Sequence, residues 1–244
     1  MLSKLKLKYI QTLGQKKFRQ EERLFIAEGP KLVQELLEEK KASVREVWAL
    51  PGWIEEYKSL VGTTVVGEIS EVELERISQL NTPNKVLAIV EQFELPDTIE
   101  TKGKVSLVLD TIQDPGNLGT IIRIADWFGI EQIVCSEESA DLYNTKVVQS
   151  TMGSIARVKV FYRNLGEWLS KQEGITLYAT ALNGQDITRM ERITEGLVII
   201  GNESKGISPV IMDLANVKIT IPQKGKAESL NAAVAAGIIL SHIC

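Results

Sequence analysis

Three loops of the sequence place polar residues directly after apolar runs, where a backbone and a few side chains could hold a ligand and act on it. The first lies within VSLVLDTIQDPGNLGTIIRIADWFGI, Val105 to Ile130. Gly116 and Gly119 permit tight backbone paths, and the start of the following helix offers free N–H groups at a positive dipole end. Asn117, taken alone, reads equally well as a helix cap. Arg123 stands among Ile121, Ile122, Ile124 and Ala125. Arginine is rarely buried without a partner, so it either faces solvent or directs its guanidinium at a phosphate or a reacting oxygen.

The second loop is GLVIIGNESKGIS, Gly196 to Ser208, in which an apolar strand ends in Gly201, Asn202 and Glu203. A glycine at the end of a strand lets a ligand approach the backbone closely, although the segment alone also fits a turn before a capped helix. The third is VKITIPQKGKAESLNAAVAAGIIL, where a strand ends at Ile221-Pro222 and Ser229 and Asn231 open an alanine-rich helix. Its small face of Ala232, Ala233, Ala235, Ala236 and Gly237 permits close packing. Neither GxxxxGK[ST] nor GxGxxG occurs, which removes most support for ATP, GTP or nicotinamide cofactors.

The elements that must position these loops alternate between strand and helix. Residues 105–110, 131–136, 158–162, 175–181, 196–201 and 217–221 read as strands with helical patterns between most of them. That alternation implies a parallel sheet covered on both faces, with ligands bound beyond the carboxyl ends of its strands. The first hundred residues alternate as well, with strands at 24–29, 44–50, 63–69 and 85–93. Pro30 opens one helix and Ser70, with Glu73 three residues on, caps another. The polar stretch from Leu95 to Lys104 marks the boundary, so a domain is expected over 1–97, a linker over 98–104 and a second domain over 105–244.

The 244 residues carry a net charge of −4, 44% apolar and 25% charged side chains, as in a soluble globular protein. No apolar run approaches the roughly 18 residues of a membrane span, and the N-terminus does not read as a signal peptide, so a cytoplasmic setting is expected. The only cysteines, Cys135 and Cys244, suggest neither a disulfide framework nor a metal cluster, and His242 is the only histidine. The first 20 residues hold Lys4, Lys6, Lys8, Lys16, Lys17 and Arg19 and no acid. Such an arm either attracts phosphate or is the solvated face of a first helix with Leu2, Leu5 and Ile10 turned inward.

In order and spacing, Asn117 with Arg123, GNESKG and IPQKGKAESLN resemble the three motifs of the SpoU (TrmH-type) RNA 2′-O-ribose methyltransferases of the SPOUT superfamily. The resemblance runs from Val105 to the C-terminus. The first hundred residues, through FIAEGPKLVQELL preceded by Lys17 and Arg19, resemble the substrate-binding domain often fused to that family, which is similar to small RNA-binding ribosomal proteins. Ser204 departs from the glycine that many members carry after the glutamate of the second motif, which puts the path of that loop in question.

The resemblance implies an α/β fold, in which a parallel-sheet SPOUT domain with a deep trefoil knot follows a smaller α/β RNA-binding domain. It also implies S-adenosyl-L-methionine as cofactor, no metal, and a homodimer formed through the C-terminal domain. The cofactor contacts it implies are Gly201, Ile221 and Leu230, with Thr180 and Asn202 added. Arg123 would bind the ribose or phosphate and stabilise the developing alkoxide, with proton abstraction itself open, while Asn117, Glu203, Ser229 and Asn231 hold Arg123 and the nucleotide in place. Lys16, Lys17, Arg19 and Arg23 are the expected RNA contacts of the first domain. Ribosomal RNA is the expected substrate, transfer RNA the alternative. A non-catalytic RNA binder and a small-molecule enzyme of doubly wound fold are the other classes; the presence of Asn117 and Arg123 argues against the first, the basic arm and extra domain against the second.

Overall fold

The structure is a computed structural model that describes residues 2–244, so Met1, which opens the expected first domain, lies outside the described residues. In chain order the elements are α1 (Lys4–Thr12), α2 (Lys16–Glu22), β1 (Leu24–Glu28), α3 (Pro30–Glu38), β2 (Val44–Ala49), α4 (Pro51–Glu56), α5 (Lys58–Val61), β3 (Val65–Glu68), α6 (Glu71–Ile77) and β4 (Val86–Glu91). There follow β5 (Val105–Leu109), α7 (Pro115–Trp127), β6 (Gln132–Ser136), α8 (Thr145–Thr151), β7 (Lys159–Arg163), α9 (Leu165–Leu169), β8 (Leu177–Asp186), β9 (Gly196–Ile200), α10 (Pro209–Met212), β10 (Val217–Thr220) and α11 (Ala232–Ile243). The chain divides into two compact units, one of Met1–Glu94 with Asp141–Ala156, the other of Leu95–Ala140 with Arg157–Cys244. It therefore passes from one unit to the other three times.

The first unit is built on a mixed sheet of order β1-β4-β2-β3, antiparallel except where β2 meets β3. Leu24, Ile26, Leu87 and Ile89 bury one face beneath Ile10, Leu13, Leu74 and Ile77. Gly29 sits at φ 90° and turns the chain into Pro30, the first residue of α3, whose Leu32, Val33 and Leu36 are buried. Ser70 and Glu73 form the reciprocal capping box the spacing predicts. Leu2 and Ile10 turn inward, but Leu5 is 84% exposed. Five helical positions from Ile10 is about 140° around the axis, so Leu5 points away from the core.

The segment 141–156 completes this unit. Tyr143 packs on Phe25 with ring centroids 5.0 Å apart, and its hydroxyl accepts the N–H of Phe93 at 2.9 Å. Burial pushes the Tyr143 phenol up to about 12. Arg19 donates from Nη2 to Asp141 Oδ2 at 2.6 Å and from Nη1 to the carbonyls of Leu13 and Gly14 at 3.1 and 2.6 Å. It is only 3% exposed, which corrects its expected role at the RNA surface: a buried guanidinium needs its carboxylate, and this one is taken. Lys6 is paired with Glu46 at 2.5 Å and Lys17 with Glu21 at 3.9 Å, while Lys4, Lys8, Lys16 and Arg23 are exposed.

The second unit holds a six-stranded sheet of order β10-β8-β9-β5-β6-β7, every pair parallel. β6 and β9 are buried along their whole length, as expected of strands covered on both faces. From β5 the chain builds outward through β6 and β7, then returns to the other side of β5 for β8, β9 and β10. The crevice between the carboxyl ends of β5 and β9 is therefore a switch point of the kind that binds ligands. β10 pairs with Tyr178 and Ala179 and then directly with Gln185 and Asp186, so 180–184 arch out of register. Gly184 makes this possible, because a Cβ there would stand 2.6 Å from the Lys218 carbonyl oxygen.

Candidate active site

The loops that leave β5 and β9 are joined at the crevice. Asp110 continues the ladder by donating its N–H to the Ile200 carbonyl at 2.9 Å, and its Oδ2 accepts the N–H of Ser208 at 2.7 Å. Asn202 donates from Nδ2 to the Thr111 carbonyl at 3.0 Å, while its Oδ1 accepts the N–H groups of Ser204 and Lys205 at 2.9 and 3.1 Å. Asn202 and Gly206 also exchange backbone hydrogen bonds at 3.1 and 2.8 Å. That closure requires Gly201, since a Cβ there would lie 2.3 Å from the carbonyl carbon of Gly206. The Ser204 departure is accommodated in an exposed turn with its N–H bonded to Asn202.

Asn117 links all three loops. Its Nδ2 donates to Glu203 Oε1, and its Oδ1 accepts from Asn231 Nδ2 at 2.8 Å. The cap of α7 is not Asn117 but Asp114, whose Oδ1 accepts the Asn117 N–H at 2.8 Å. Because Asp114 takes that duty, the amide of Asn117 is free to reach across the loops. Asn231 caps α11, with Oδ1 accepting from Ala233 and Val234 at 3.0 and 3.3 Å.

Beside this junction lies a cleft of about 580 Å³, within the range usual for small-molecule sites. All five expected cofactor contacts, Thr180, Gly201, Asn202, Ile221 and Leu230, line it, and Glu203 and Ser229 stand on its wall. The residues fit a nucleoside cofactor: the cleft combines apolar side chains such as Ile219 and Ile239 with loop backbone, and Gly201 lacks the Cβ that would block its own loop. Ser229 is exposed and makes no hydrogen bond. No group of three or more His, Cys, Asp or Glu able to hold a metal occurs among the described residues.

Arg123 is exposed on α7 and has no hydrogen-bond or ion-pair partner among the described residues. The apolar neighbours that frame it in sequence, Ile121 and Ile122, are buried on the other face of the helix. Asn117, Glu203 and Asn231 are therefore brought together with one another but not with Arg123. Thr120, Arg123 and Trp127 share the outer face, at three- and four-residue spacing, and Trp127 is 85% exposed. α11 packs along α7, with Gly237 against Ile124, and exposes Val234 at 51%. Sequence reasoning missed Asp110, Asp114 and Thr111. Asp114 carried a signal, as an Asp directly before Pro115 is a typical helix start.

The SpoU rRNA Methylase family profile matches residues 104–241, and an MRM3-like substrate binding domain profile matches residues 4–88. The chain is 33% identical to the 23S rRNA (guanosine(2553)-2′-O)-methyltransferase RlmP of Bacillus subtilis over 98% of its own length and 95% of that protein. It superimposes on the AdoMet-bound rRNA methyltransferase from Sinorhizobium meliloti with a TM-score of 0.86 and 32% identity, covering 99% of this chain and 95% of that one. A putative RNA methyltransferase of the TrmH family from Porphyromonas gingivalis gives 0.85 and 35%, with coverage of 99% and 98%.

Proposed function

The chain belongs to the SpoU rRNA methylase family and is an S-adenosylmethionine-dependent RNA 2′-O-ribose methyltransferase; we propose that it acts on 23S ribosomal RNA, as a homodimer whose sites need Arg123. The observation that carries the assignment of residues is the junction at Asn117, which binds Glu203 and Asn231 and so brings one side chain from each loop to the mouth of the cleft. The substrate reading rests on the similarity to RlmP, along nearly the full length of both chains.

The cofactor, when bound, supplies a sulfonium methyl open to in-line attack. Gly201, Ile221 and Leu230 would hold it in the cleft, with Thr180 beside them. Asn117, Glu203, Ser229 and Asn231 orient the ribose so that its 2′-oxygen faces the methyl. The Arg123 guanidinium would grip the phosphate or ribose and stabilise the charge developing on the 2′-oxygen, whose proton passes to bulk water. The C-terminal segment threads the preceding loops as a trefoil knot.

The homodimer reading is supported by the outer faces of α7 and α11, where Trp127 and Val234 lie exposed on packed neighbours and Arg123 stands without a partner. A second copy seated there would cover the tryptophan and receive the guanidinium at its own cleft. Lys16, Lys17 and Arg23 give the first unit its phosphate contacts. No helix among the described residues is long and apolar enough to cross a membrane, and we place the protein in the cytoplasm with its RNA.

The test is transfer of labelled methyl from S-adenosylmethionine to 23S rRNA isolated from a strain lacking the gene, followed by mapping of the 2′-O-methyl site. One new modified ribose is expected. Label that goes only to transfer RNA, or no label at all, overturns the substrate reading.

A further inference from the structure

Thr111 occupies the left-handed region, with φ 59°. A β-branched residue there is a genuine outlier, and such strain persists only where its surroundings over-determine it. They do so here. The Thr111 N–H donates to Ser136 Oγ at 2.9 Å and its hydroxyl to Asp110 Oδ1 at 3.0 Å. The next residue, Ile112, is fully buried and donates its N–H to Ser139 Oγ at 3.2 Å. The strained turn aims the Thr111 carbonyl at the loop after β9, where Asn202 Nδ2 meets it.

We propose that Asn202 is a positioning residue: its side-chain amide clamps the carbonyl of the strained Thr111 turn, and this clamp fixes Glu203 opposite Asn117. The amide is well suited to that work and poorly placed for direct cofactor contact, since its oxygen is engaged by two backbone N–H groups and its nitrogen by Thr111. The span holding Glu203 is pinned at both ends to the loop after β5, by Asn202 on Thr111 and by Ser208 on Asp110. Between the pins, Gly206 exchanges backbone hydrogen bonds with Asn202 and lies against Gly201, just before the first pin, so the span has little freedom except at the clamp. Release of the clamp would let Thr111 relax and the carboxylate of Glu203 drift from Asn117.

The proposal rests on the methyl-transfer reading, and a double-mutant cycle tests it separately. Asn202→Asp keeps the oxygen that accepts from Ser204 and Lys205 and removes the donor to Thr111. At saturating S-adenosylmethionine its kcat should fall roughly ten-fold or more, with KM for the cofactor changed no more than about three-fold. Thr111→Gly, which adopts the left-handed turn without a clamp, should recover most of that loss in the Asn202→Asp background and raise its melting temperature. If Asn202→Asp alone does not fold, recovery of the fold by the second change counts as the same rescue. The clamp is overturned if the loss lies in cofactor KM, or if the two substitutions are simply additive in kcat and in melting. A wild-type enzyme that methylates no RNA overturns the function instead, and the melting cycle still decides the clamp.

Discussion

Asn231 and Asn117 meet amide to amide, 2.8 Å apart, and the first turn of α11 dictates which way both face. Asn231 Oδ1 is committed to the N–H groups of Ala233 and Val234, so its Nδ2 must point at Asn117. Asn117 can then only accept with its oxygen and donate with its nitrogen, to Glu203. Helix polarity is passed along two amides to a carboxylate at the mouth of the cleft.

Asn231→Asp separates the cap from this relay. An aspartate caps a helix as well as an asparagine, so the melting temperature should hold or rise slightly. The donor to Asn117 is lost, and methyl transfer should fall by roughly ten-fold or more, about 1.4 kcal/mol of transition-state stabilisation. A variant that melts early, or one with undiminished kcat, contradicts the relay.

Arg123→Ala should leave stability within about 0.5 kcal/mol, since the side chain is exposed and unpartnered. Methyl transfer should drop by roughly 10²–10³ through loss of charge stabilisation. Calorimetry should show S-adenosylmethionine affinity changed only a few-fold; a folded variant that no longer binds the cofactor would move Arg123 into the cofactor site.

Gly201→Ala places a methyl group 2.3 Å from the backbone of Gly206. The loop must open, at a cost of about 1–3 kcal/mol. Thermal stabilisation by S-adenosylmethionine should shrink or vanish while the circular dichroism spectrum stays native. Full stabilisation would mean that the loop opens without disturbing the cleft.

The basic residues of the first unit divide by burial. Replacing Lys16, Lys17 and Arg23 with alanine should flatten the log–log salt dependence of RNA binding by about two, at roughly 0.7 per phosphate contact on single strands. Filter binding at several salt concentrations reads this directly, and an unchanged slope returns these side chains to a solvated face.

Arg19→Ala should act on stability instead, since it strands Asp141 beside a buried site. A loss of about 3–5 kcal/mol is expected from chemical denaturation. A variant of native stability with weakened RNA binding would restore Arg19 to the RNA surface.

The regular elements were legible because each carries a local signal. The apolar runs of β5, β6 and β9 read as buried strands, and Pro30, Ser70 and Asn231 announced their helices. The three loops were legible as a family pattern; Asn117, Glu203 and Asn231 meet beside one cleft, while Arg123 stands apart on the outer face of α7. What stayed hidden depends on long-range pairing. Nothing near Arg19 in sequence separates it from Lys16 and Lys17, and its partner lies 122 positions away. The turn at Thr111 is equally silent, because threonine is a poor choice for a left-handed backbone and only the bonds around it explain its presence. Segment 141–156 lies in the middle of the catalytic sequence, and its packing with the first unit follows from contacts such as Tyr143 on Phe25.

That segment bears on how the chain matures during synthesis. N-terminal domains generally fold first as they leave the ribosome. Here the N-terminal unit cannot finish in that order, because α8 and Asp141 are made only after β5, α7 and β6. Until they emerge, Arg19 lacks its carboxylate and Phe25 the ring of Tyr143. A nascent chain stalled after Glu94 should be open to proteases, and one stalled well beyond Ala156 should be protected. Any attempt to graft this unit onto another enzyme by cutting at Glu94 would carry away a shell with a missing panel.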